Sequence, residues 1–379
     1  MTTSVDEFFE EPLEQSRVKA RIVSDYVTTF CRILSDHQRK AGKPAAVDYI
    51  DLFSGPGSYG DGTASTPLLI VRQAMHDPKL AGSLRTYFND HDKVKADSLQ
   101  DEFRRLQSLD LLAHPPRVYS EEASIQFVDG LGLDPKTPKL FFLDPFGYKA
   151  LTMPLLRSVL AGWATECIFF FNYRRVIAAL NNPAFAGLVD RLFGTRRLSE
   201  LRAELSQEHS PRGREAVVLN HLTTALLDAG AKHVMKFSFK VEDTHRSTHH
   251  LIFATGHRKG YEAMKTIMAR ESSSDTEDGP SMAFTQRPSE PTLFDRDPHE
   301  VLAENLLQRF QSRTISLDEI YQEMGSETLF TQPYFRRSLL LLEERSAVVV
   351  DPPAASRPAP KGKQSMAGST MITFPRRTS

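Results

Sequence analysis

The hydrophobic positions of the chain follow two patterns, a helical stripe near the start and short apolar runs after it. Between residues 16 and 38 the apolar side chains recur at helical spacing, which predicts an amphipathic helix. Its stripe consists of Val18, Ile22, Val23, Tyr26, Phe30, Ile33 and Leu34. Beyond residue 45, apolar runs of strand length alternate with helical segments up to about residue 270.

Seven of these runs are predicted strands: AVDYIDLF, LRTYFN, RVY, KLFFLD, ECIFFFNY, HVMKFSFKVED and HHLIFATG. Alternation of strands with helices favours a parallel, doubly wound sheet. The last two runs follow each other directly, so we expect a closing hairpin that adds one antiparallel edge strand. The segment from Arg174 to about Arg214 is Arg-rich and irregular to helical, and a helix is predicted over Glu215–Ala229.

A second unit is predicted after a polar stretch rich in proline and serine. Residues 271–297 have no hydrophobic period and are typical of a linker, which divides a domain at 1–270 from one at 298–379. In the latter, three helical segments precede two strand-like runs, AVVVD and MITFP. This order predicts a winged helix-turn-helix domain, with residues 352–369 as a long wing.

The composition excludes several classes of protein. A formal net charge of −1 means that any affinity for phosphate must come from local patches. The two cysteines allow no disulfide framework, and the acidic N-terminus does not resemble a signal peptide. The longest apolar run is too short to span a bilayer. We therefore expect a cytoplasmic protein with no membrane association.

A glycine-rich turn follows the first predicted strand, and it is the first candidate site. Its residues are Asp51, Phe53, Gly55, Pro56 and Gly57. With Gly60 the turn contains GxGxxG, but Asp61, Gly62 and Thr63 continue as a turn where the dinucleotide fingerprint requires a helix. A methyl-donor site fits better, with Asp51 placed to meet an ammonium group. A glycine-rich turn without a ligand is the alternative.

The ends of the second and third strands supply further candidates. Asn89 and Asp90 could accept hydrogen bonds from ribose hydroxyls, although Asp90 could instead cap a helix. Glu121 and Ala123 lie where an adenine ring would be expected, although Ser120 followed by acids is also typical of a helix start.

The fourth strand ends in Asp144, Pro145, Phe146 and Gly147, the predicted catalytic residues. Ligands of α/β sheets bind at the carboxyl ends of strands, so Asp144 could orient an acceptor amine and Phe146 could stack on a flipped base. The alternative is an ordinary turn, with Asp144 as a cap and Phe146 in the core. Asn172 and Tyr173 could wall the same pocket.

Together these segments resemble the three-Cys-motif partner proteins. The resemblance is carried by YIDLFSGPGSY, LFFLDPFGY, HLIFATGHRKGYEAMKTIM and LLLLEER. It implies a class I methyltransferase, Rossmann-like seven-stranded sheet with a C-terminal winged helix, S-adenosylmethionine as cofactor, and a partner protein that carries the three cysteines. Enzymes that methylate exocyclic amines commonly carry Asp-Pro-Pro-Tyr, where this chain has Phe146 and Gly147 in the last two places.

Two functional hypotheses remain open. The first is methyl transfer to a base nitrogen of DNA or RNA, bound through Tyr334, Arg336 and Arg337 of the predicted recognition helix. The second is a non-catalytic nucleic-acid-binding adaptor that serves a partner protein. Cytosine C5 chemistry is rejected because neither Cys31 nor Cys167 has a suitable context, and no metal site is predicted from the histidines at 245, 249, 250 and 257.

Overall fold

The computed structural model describes residues 13–59, 61–145, 151–180, 182, 186–240, 247–285, 296–359 and 364–376. The chain divides into two compact units. The first comprises Met1–Ile267 and Phe284–Gln286, and the second comprises Met268–Ala283 and Arg287–Ser379. Within the described ranges, no helix is both long enough and apolar enough to cross a membrane.

The first unit alternates strands and helices. Its strands are β1 (Val47–Asp51), β2 (Leu84–Asn89), β3 (Arg117–Tyr119), β4 (Lys139–Leu143), β5 (Thr165–Phe171), β6 (His233–Lys240) and β7 (Ser247–Thr255). Its helices are α1 (Leu13–Lys40), α2 (Thr66–His76), α3 (Pro78–Ala81), α4 (Lys93–Arg105), α5 (Ile125–Gly130), α6 (Met153–Leu160), α7 (Tyr173–Leu180), α8 (Ala186–Phe193), α9 (Thr195–Gln207), α10 (Pro211–Asp228) and α11 (Arg258–Arg270).

The strands form one mostly parallel sheet. Its order is β6-β7-β5-β4-β1-β2-β3, extended beyond β6 by a short strand at Ala283–Phe284. Strands β1 to β5 are paired in parallel, and β7 is antiparallel to both of its neighbours. The predicted α/β class is therefore correct, and within the described ranges the sheet has one strand more than the seven predicted.

The position of the antiparallel strand differs from the sequence prediction. We expected it at the edge, whereas β7 lies between β5 and β6. The burial pattern explains the difference, since Leu251, Ile252 and Phe253 of β7 are fully buried while β6 alternates between buried and half-buried residues. A strand that is apolar on both faces requires neighbours and cover on each side, which an interior position supplies.

Other differences concern segments with weak periodicity. The Arg-rich stretch that we treated as irregular to helical forms α7, α8 and α9, and α10 begins at Pro211 rather than Glu215. The hydroxyl of Ser210 caps α10 by accepting a hydrogen bond from the Gly213 amide (3.0 Å), which explains the earlier start.

A buried acid joins α1 to the sheet. Glu166 of β5 accepts hydrogen bonds from the Tyr26 hydroxyl and from Thr255 Oγ1, the latter at 2.7 Å. A Cβ at Gly260 would lie 2.2 Å from Glu166 Oε1, so only glycine permits this close approach. Burial raises the pKa of Glu166 to about 7, against the lowering effect of these two hydrogen bonds.

We expect Glu166 to make the stability of the chain depend on pH. Because its folded pKa of about 7 lies above the ordinary value of 4.5, its contribution is full below pH 4.5 and is lost as the pH rises through 7. The loss should be on the order of 3 kcal/mol. Urea denaturation at pH 4.5 and at pH 8 gives, for the wild type and for Glu166→Gln, the change in the free energy of unfolding between the two pH values. The difference between these two changes is the contribution of Glu166. Equal changes in the two proteins would contradict the assignment.

The described part of the second unit contains three α-helices of eight or more residues and two small sheets. Its helices are α12 (Pro298–Arg309), α13 (Leu317–Met324) and α14 (Gln332–Glu344). Its strands are β8 (Asp275–Thr276), β9 (Gly279–Pro280), β11 (Thr314–Ser316), β12 (Val349–Asp351) and β13 (Met371–Thr373). The label β10 denotes the short strand Ala283–Phe284, which belongs to the large sheet described above. The antiparallel sheet β11-β13-β12 packs with the helices around Phe310, Phe335 and Ile372.

Two features of this unit were missed in the sequence. Part of the predicted linker is structured, since β8 and β9 pair and Pro280, Met282 and Ala283 are buried. Strand β11 is only three residues long and precedes α13 directly, so its single buried residue, Ile315, gave no alternating pattern.

Candidate active site

The order of the strands reverses between β1 and β4, and the candidate residues lie at this position. From β1 the chain continues to β2 and β3 on one side, while β4 and β5 extend the sheet on the other. Asp51 is the last residue of β1, and Asp144 follows the last residue of β4. Crevices at such a reversal, beyond the carboxyl ends of parallel strands, are the usual ligand sites of doubly wound sheets.

The loop after β1 is held in a backbone conformation that requires glycine. Gly55 has φ +66° and Gly57 has φ +96°. A Cβ at Gly57 would lie 2.9 Å from Leu99 Cδ1 of α4, whereas a Cβ at Gly55 would meet no atom within 4 Å. Ser65 donates to the Gly57 carbonyl (2.6 Å), which fixes the far side of the loop. Glycine at position 57 therefore allows the loop to pack closely against α4, and glycine at position 55 leaves open space next to the backbone.

Asp51 is a buried carboxyl group whose hydrogen-bond partners among the described residues are a backbone amide and a tyrosine hydroxyl. Its side chain is 1% exposed, accepts a hydrogen bond from the Phe53 amide (3.1 Å) and lies 3.4 Å from the Tyr49 hydroxyl. Burial, assisted by the nearby carboxylates of Asp144 and Asp90, raises its pKa to about 8 against the lowering effect of the hydrogen bonds from Phe53 and Tyr49. Three acids thus converge at this edge, which favours a cationic group between them.

Asp90 anchors the glycine loop. Its Oδ2 accepts from the Gly55 amide (3.0 Å) and its Oδ1 from the Asp92 amide (2.9 Å). Asp92, rather than Asp90, caps α4, because the Oδ1 of Asp92 accepts a hydrogen bond from the Val94 amide. Each oxygen of a carboxylate can accept a second hydrogen bond, so these contacts leave Asp90 capable of binding a hydroxyl.

The side chain of Asn89, at the end of β2, connects the loops that follow β1 and β3. Its Nδ2 donates to the backbone carbonyls of Leu52 (3.3 Å) and Glu121 (3.0 Å), and its Oδ1 accepts from the Glu121 backbone amide (3.0 Å). The structure therefore gives Asn89 a role in positioning the loops after β1 and β3. The Glu121 side chain is exposed and Ala123 is half-buried, and α5 is capped by Ser124 rather than by Ser120.

Asp144 forms an ion pair that the sequence analysis did not anticipate. Its Oδ2 lies 2.7 Å from Lys19 Nζ of α1, and the Asp144 side chain is 25% exposed. The cap of α6 is Thr152, so Asp144 does not serve as that helix cap. Pro145 is half-buried, while Phe146 and Gly147 lie outside the described residues.

The sequence pattern of α1 already indicated that Lys19 would be buried. Lys19, Val23, Tyr26 and Phe30 share one helix face, and all four are buried. A lysine at a buried helical position requires a partner, because an unpaired buried charge is strongly unfavourable. The identity of that partner depends on how α1 lies against β4, which no local pattern reveals.

The structure agrees with the rejection of cysteine chemistry. Burial raises the pKa of Cys31 to about 11 and raises that of Cys167 still further. Both thiols are fully buried and stay protonated near neutral pH. Among the described residues, no three His, Cys, Asp or Glu side chains are grouped closely enough to hold a metal ion.

The predicted nucleic-acid contacts on α14 differ in their surroundings. The Tyr334 hydroxyl donates to Asp275 Oδ1 (2.5 Å) and its ring stacks on His299, so this side chain is engaged within its own unit. Arg336 is half-buried and Arg337 is exposed. Two further basic residues of the region are neutralised, because Arg345 pairs with Glu300 and Arg357 pairs with Glu343.

Comparison with known proteins gives only distant matches. No family model and no curated protein matches the chain. Solved structures similar to it include the CurJ carbon methyltransferase, with 13% identity over 61% of this chain and 54% of that one and a TM-score of 0.35. A second is a protein from Legionella pneumophila str. Philadelphia 1, with 12% identity over 65% of this chain and 89% of that one and a TM-score of 0.37.

A third is magnesium protoporphyrin IX methyltransferase from Synechocystis PCC 6803 with bound SAH. It has 13% identity over 62% of this chain and 86% of that one, with a TM-score of 0.28. The chain spans about half the length of the CurJ protein that it matches. At these identities and TM-scores the likeness does not bear on the site. The assignment of the site residues rests on the strand order and the contacts described above.

Proposed function

We propose that this chain is an S-adenosylmethionine-dependent methyltransferase that acts on nucleic acid, at a base nitrogen oriented by Asp144. The observation that carries the proposal is the convergence of Asp51, Asp90 and Asp144 where the strand order reverses. S-Adenosylmethionine is positively charged at its ammonium and sulfonium groups, so an edge that gathers carboxylates suits it. The glycine loop beside these acids, which leaves open space at Gly55, supports the same ligand.

The residues fit this ligand in separate roles. We assign the ammonium group to Asp51 and the ribose hydroxyls to Asp90, with the open backbone at Gly55 facing the ligand. When bound, the ligand supplies a methyl group on a positively charged sulfur, which an acceptor lone pair can attack. Such a transfer depends chiefly on positioning the two groups.

Asp144 is the residue that we assign to the acceptor. Lys19 occupies Asp144 Oδ2, so Oδ1 is the oxygen expected to accept the N–H of the acceptor nitrogen. That hydrogen bond would direct the nitrogen lone pair toward the methyl group, and the carboxylate would hold the proton that the nitrogen loses.

The second unit supports nucleic acid as the acceptor class. Its order of helix, strand, helix, helix, strand, strand, with an antiparallel sheet β11-β13-β12, fits the proposed winged helix. Helix α14 would then be the recognition helix, with Arg337 as its exposed cation and with Arg336 and Tyr334 beside it. Association with a three-Cys-motif partner protein remains part of the proposal.

Binding of the methyl donor should release a proton near pH 6.5, and this tests the donor site. Asp51 has a pKa of about 8, so it is mostly protonated at that pH and must ionise to pair with an ammonium. We expect release of nearly one proton per ligand, falling toward zero near pH 8, where the ligand's own amine titrates. Calorimetry in phosphate and in imidazole buffers, whose ionisation enthalpies differ, counts the protons.

Asp51→Asn is the control for this measurement. Loss of the charge-assisted contact should weaken binding by at least roughly 10-fold and remove the proton release. Proton release that survives in this variant would contradict the role of Asp51. Failure of the wild type to bind either S-adenosylmethionine or S-adenosylhomocysteine, with nucleic acid still bound, would favour the non-catalytic adaptor.

A further inference from the structure

A cavity lies among the helices α6, α9 and α10 of the first unit and is open to solvent. Its volume is about 430 Å³, which is within the range of small-molecule sites. The residues of its lining include Met153, Arg157, Phe193, Arg197, Ala225 and Asp228. None of its lining residues is one that we assign to the methyl donor or to the acceptor, so the cavity is distinct from the candidate active site.

Part of this lining is apolar and belongs to the core of the unit. Met153, Phe193 and Ala225 are each at most 8% exposed and pack in the same cluster as the core residues of the sheet. The core therefore holds α6, α8 and α10 in place, and the cavity is formed before a ligand enters. A preformed apolar wall suits a planar or apolar part of a ligand.

Arg197 lines the cavity with part of its guanidinium group unpaired. Its side chain is 20% exposed, and its Nη2 lies 2.5 Å from Asp228 Oδ2. This ion pair connects α9 to α10 and fixes the orientation of the guanidinium. Nε and Nη1 of Arg197 have no hydrogen-bond partner among the described residues, so both can donate to a ligand.

Arg157 supplies a second guanidinium group from α6. It is exposed at the cavity and forms no hydrogen bond, ion pair or ring contact with any described residue. Two guanidinium groups on different helices can donate to several oxygens of one ligand. The three oxygens and the double charge of a phosphate group match them better than the two oxygens and single charge of a carboxylate.

The two acids that line the cavity leave this positive charge uncompensated. Glu200 pairs with Arg196 at 3.0 Å, and Asp228 pairs with Arg197. Among the lining residues, Arg157 is thus the cation without a counter-ion. Asp228 Oδ1 accepts no hydrogen bond from the described residues, so it can accept one from a hydroxyl group of a ligand.

We propose that this cavity binds a mononucleotide, whose phosphate is held by Arg157 and Arg197. A volume of about 430 Å³ exceeds what a phosphate group alone requires, so the ligand carries a further part. Met153 and Phe193 pack against the base, and Asp228 Oδ1 accepts a hydrogen bond from a ribose hydroxyl. The site does not rest on the proposed function, because it shares no residue with the donor or acceptor positions.

Calorimetric titration of the full chain with uridine 5′-monophosphate tests this site. Arg157→Gln should weaken binding at least roughly 10-fold, or about 1.4 kcal/mol, because a charge-assisted contact with the phosphate is lost. Since Arg157 has no partner among the described residues, this variant should unfold in urea as the wild type does. The matched control is Arg202→Gln, which removes an exposed arginine of α9 that does not line the cavity. Its affinity should stay within about two-fold of the wild type, because distant exposed charges are screened.

Inorganic phosphate shows whether the apolar lining contributes. It should bind at least roughly 10-fold more weakly than uridine 5′-monophosphate, because it has no base to cover apolar surface. Equal affinity of the wild type for the two ligands would overturn the assignment to a nucleotide. Equal affinity of Arg157→Gln and Arg202→Gln for the nucleotide would overturn the site itself.

Asp90→Ala separates this site from the donor site. A nucleotide in the cavity keeps its affinity in this variant, whereas loss of binding would place the nucleotide at the end of β2 and overturn the proposal. S-Adenosylmethionine should bind Arg157→Gln as it binds the wild type. If S-adenosylmethionine binds neither protein while the nucleotide still depends on Arg157, the cavity site stands and the proposed enzyme falls.

Discussion

Gly57→Val is expected to weaken S-adenosylmethionine binding by at least about 100-fold, or about 2.7 kcal/mol. At φ +96° a branched side chain is strained, and its Cβ would lie 2.9 Å from Leu99 Cδ1 and 3.3 Å from Glu102 Cγ. Leu99 is fully buried in α4 and has little room to move away. The loop after β1 must therefore shift, which carries Gly55 away from the ligand and breaks its hydrogen bond with Asp90.

Gly62→Val is the matched control for this prediction. Gly62 lies in the same loop with φ +80°, but a Cβ there would meet no atom within 4 Å. This variant experiences the backbone strain of about 1–3 kcal/mol without the clash against α4. Calorimetric titration should give an affinity within about three-fold of the wild type. Equal losses in both variants would show that loop strain, rather than the contact with α4, determines ligand binding.

The sheet could be predicted from the sequence because its signals are local. The bounds predicted for β2, Leu84–Asn89, and for β3, Arg117–Tyr119, agree with the structure. Apolar runs reveal strands, but they do not reveal which strands are neighbours. The insertion of β7 between β5 and β6 depends on burial on both faces of the sheet, which becomes visible only when the elements are packed together.

The residues of the candidate site likewise include some that local sequence patterns reveal and some that they do not. Asp51, Gly57 and Asp144 could be located because each ends or follows a strand. Lys19 lies far from them in the sequence and reaches Asp144 through α1. The hydrogen bond of Tyr334 with Asp275 could not be predicted either, because Asp275 lies in a stretch that we treated as linker.

The second large effect is expected from the Lys19–Asp144 ion pair. Lys19→Met should lower the free energy of unfolding by about 2 kcal/mol, because it leaves the Asp144 carboxylate near Asp51 without its cation. Fully buried pairs cost 3–5 kcal/mol to break, and the partial exposure of Asp144 reduces that figure. Urea denaturation at pH 7 measures the change.

A double-mutant cycle shows whether the effect belongs to the pair. Asp144→Asn introduced into Lys19→Met removes the uncompensated charge and should recover more than about 1 kcal/mol, giving a coupling that separate defects would lack. Arg17→Met is the control on the same helix, since Arg17 and Asp61 are also 2.7 Å apart but both side chains are more than a third exposed. Exposed pairs contribute about 0–1 kcal/mol, so this variant should unfold nearly as the wild type does. Additive effects of Lys19→Met and Asp144→Asn would mean that Lys19 supports α1 without holding Asp144, and the assignment of Asp144 Oδ1 to the acceptor would lose its basis.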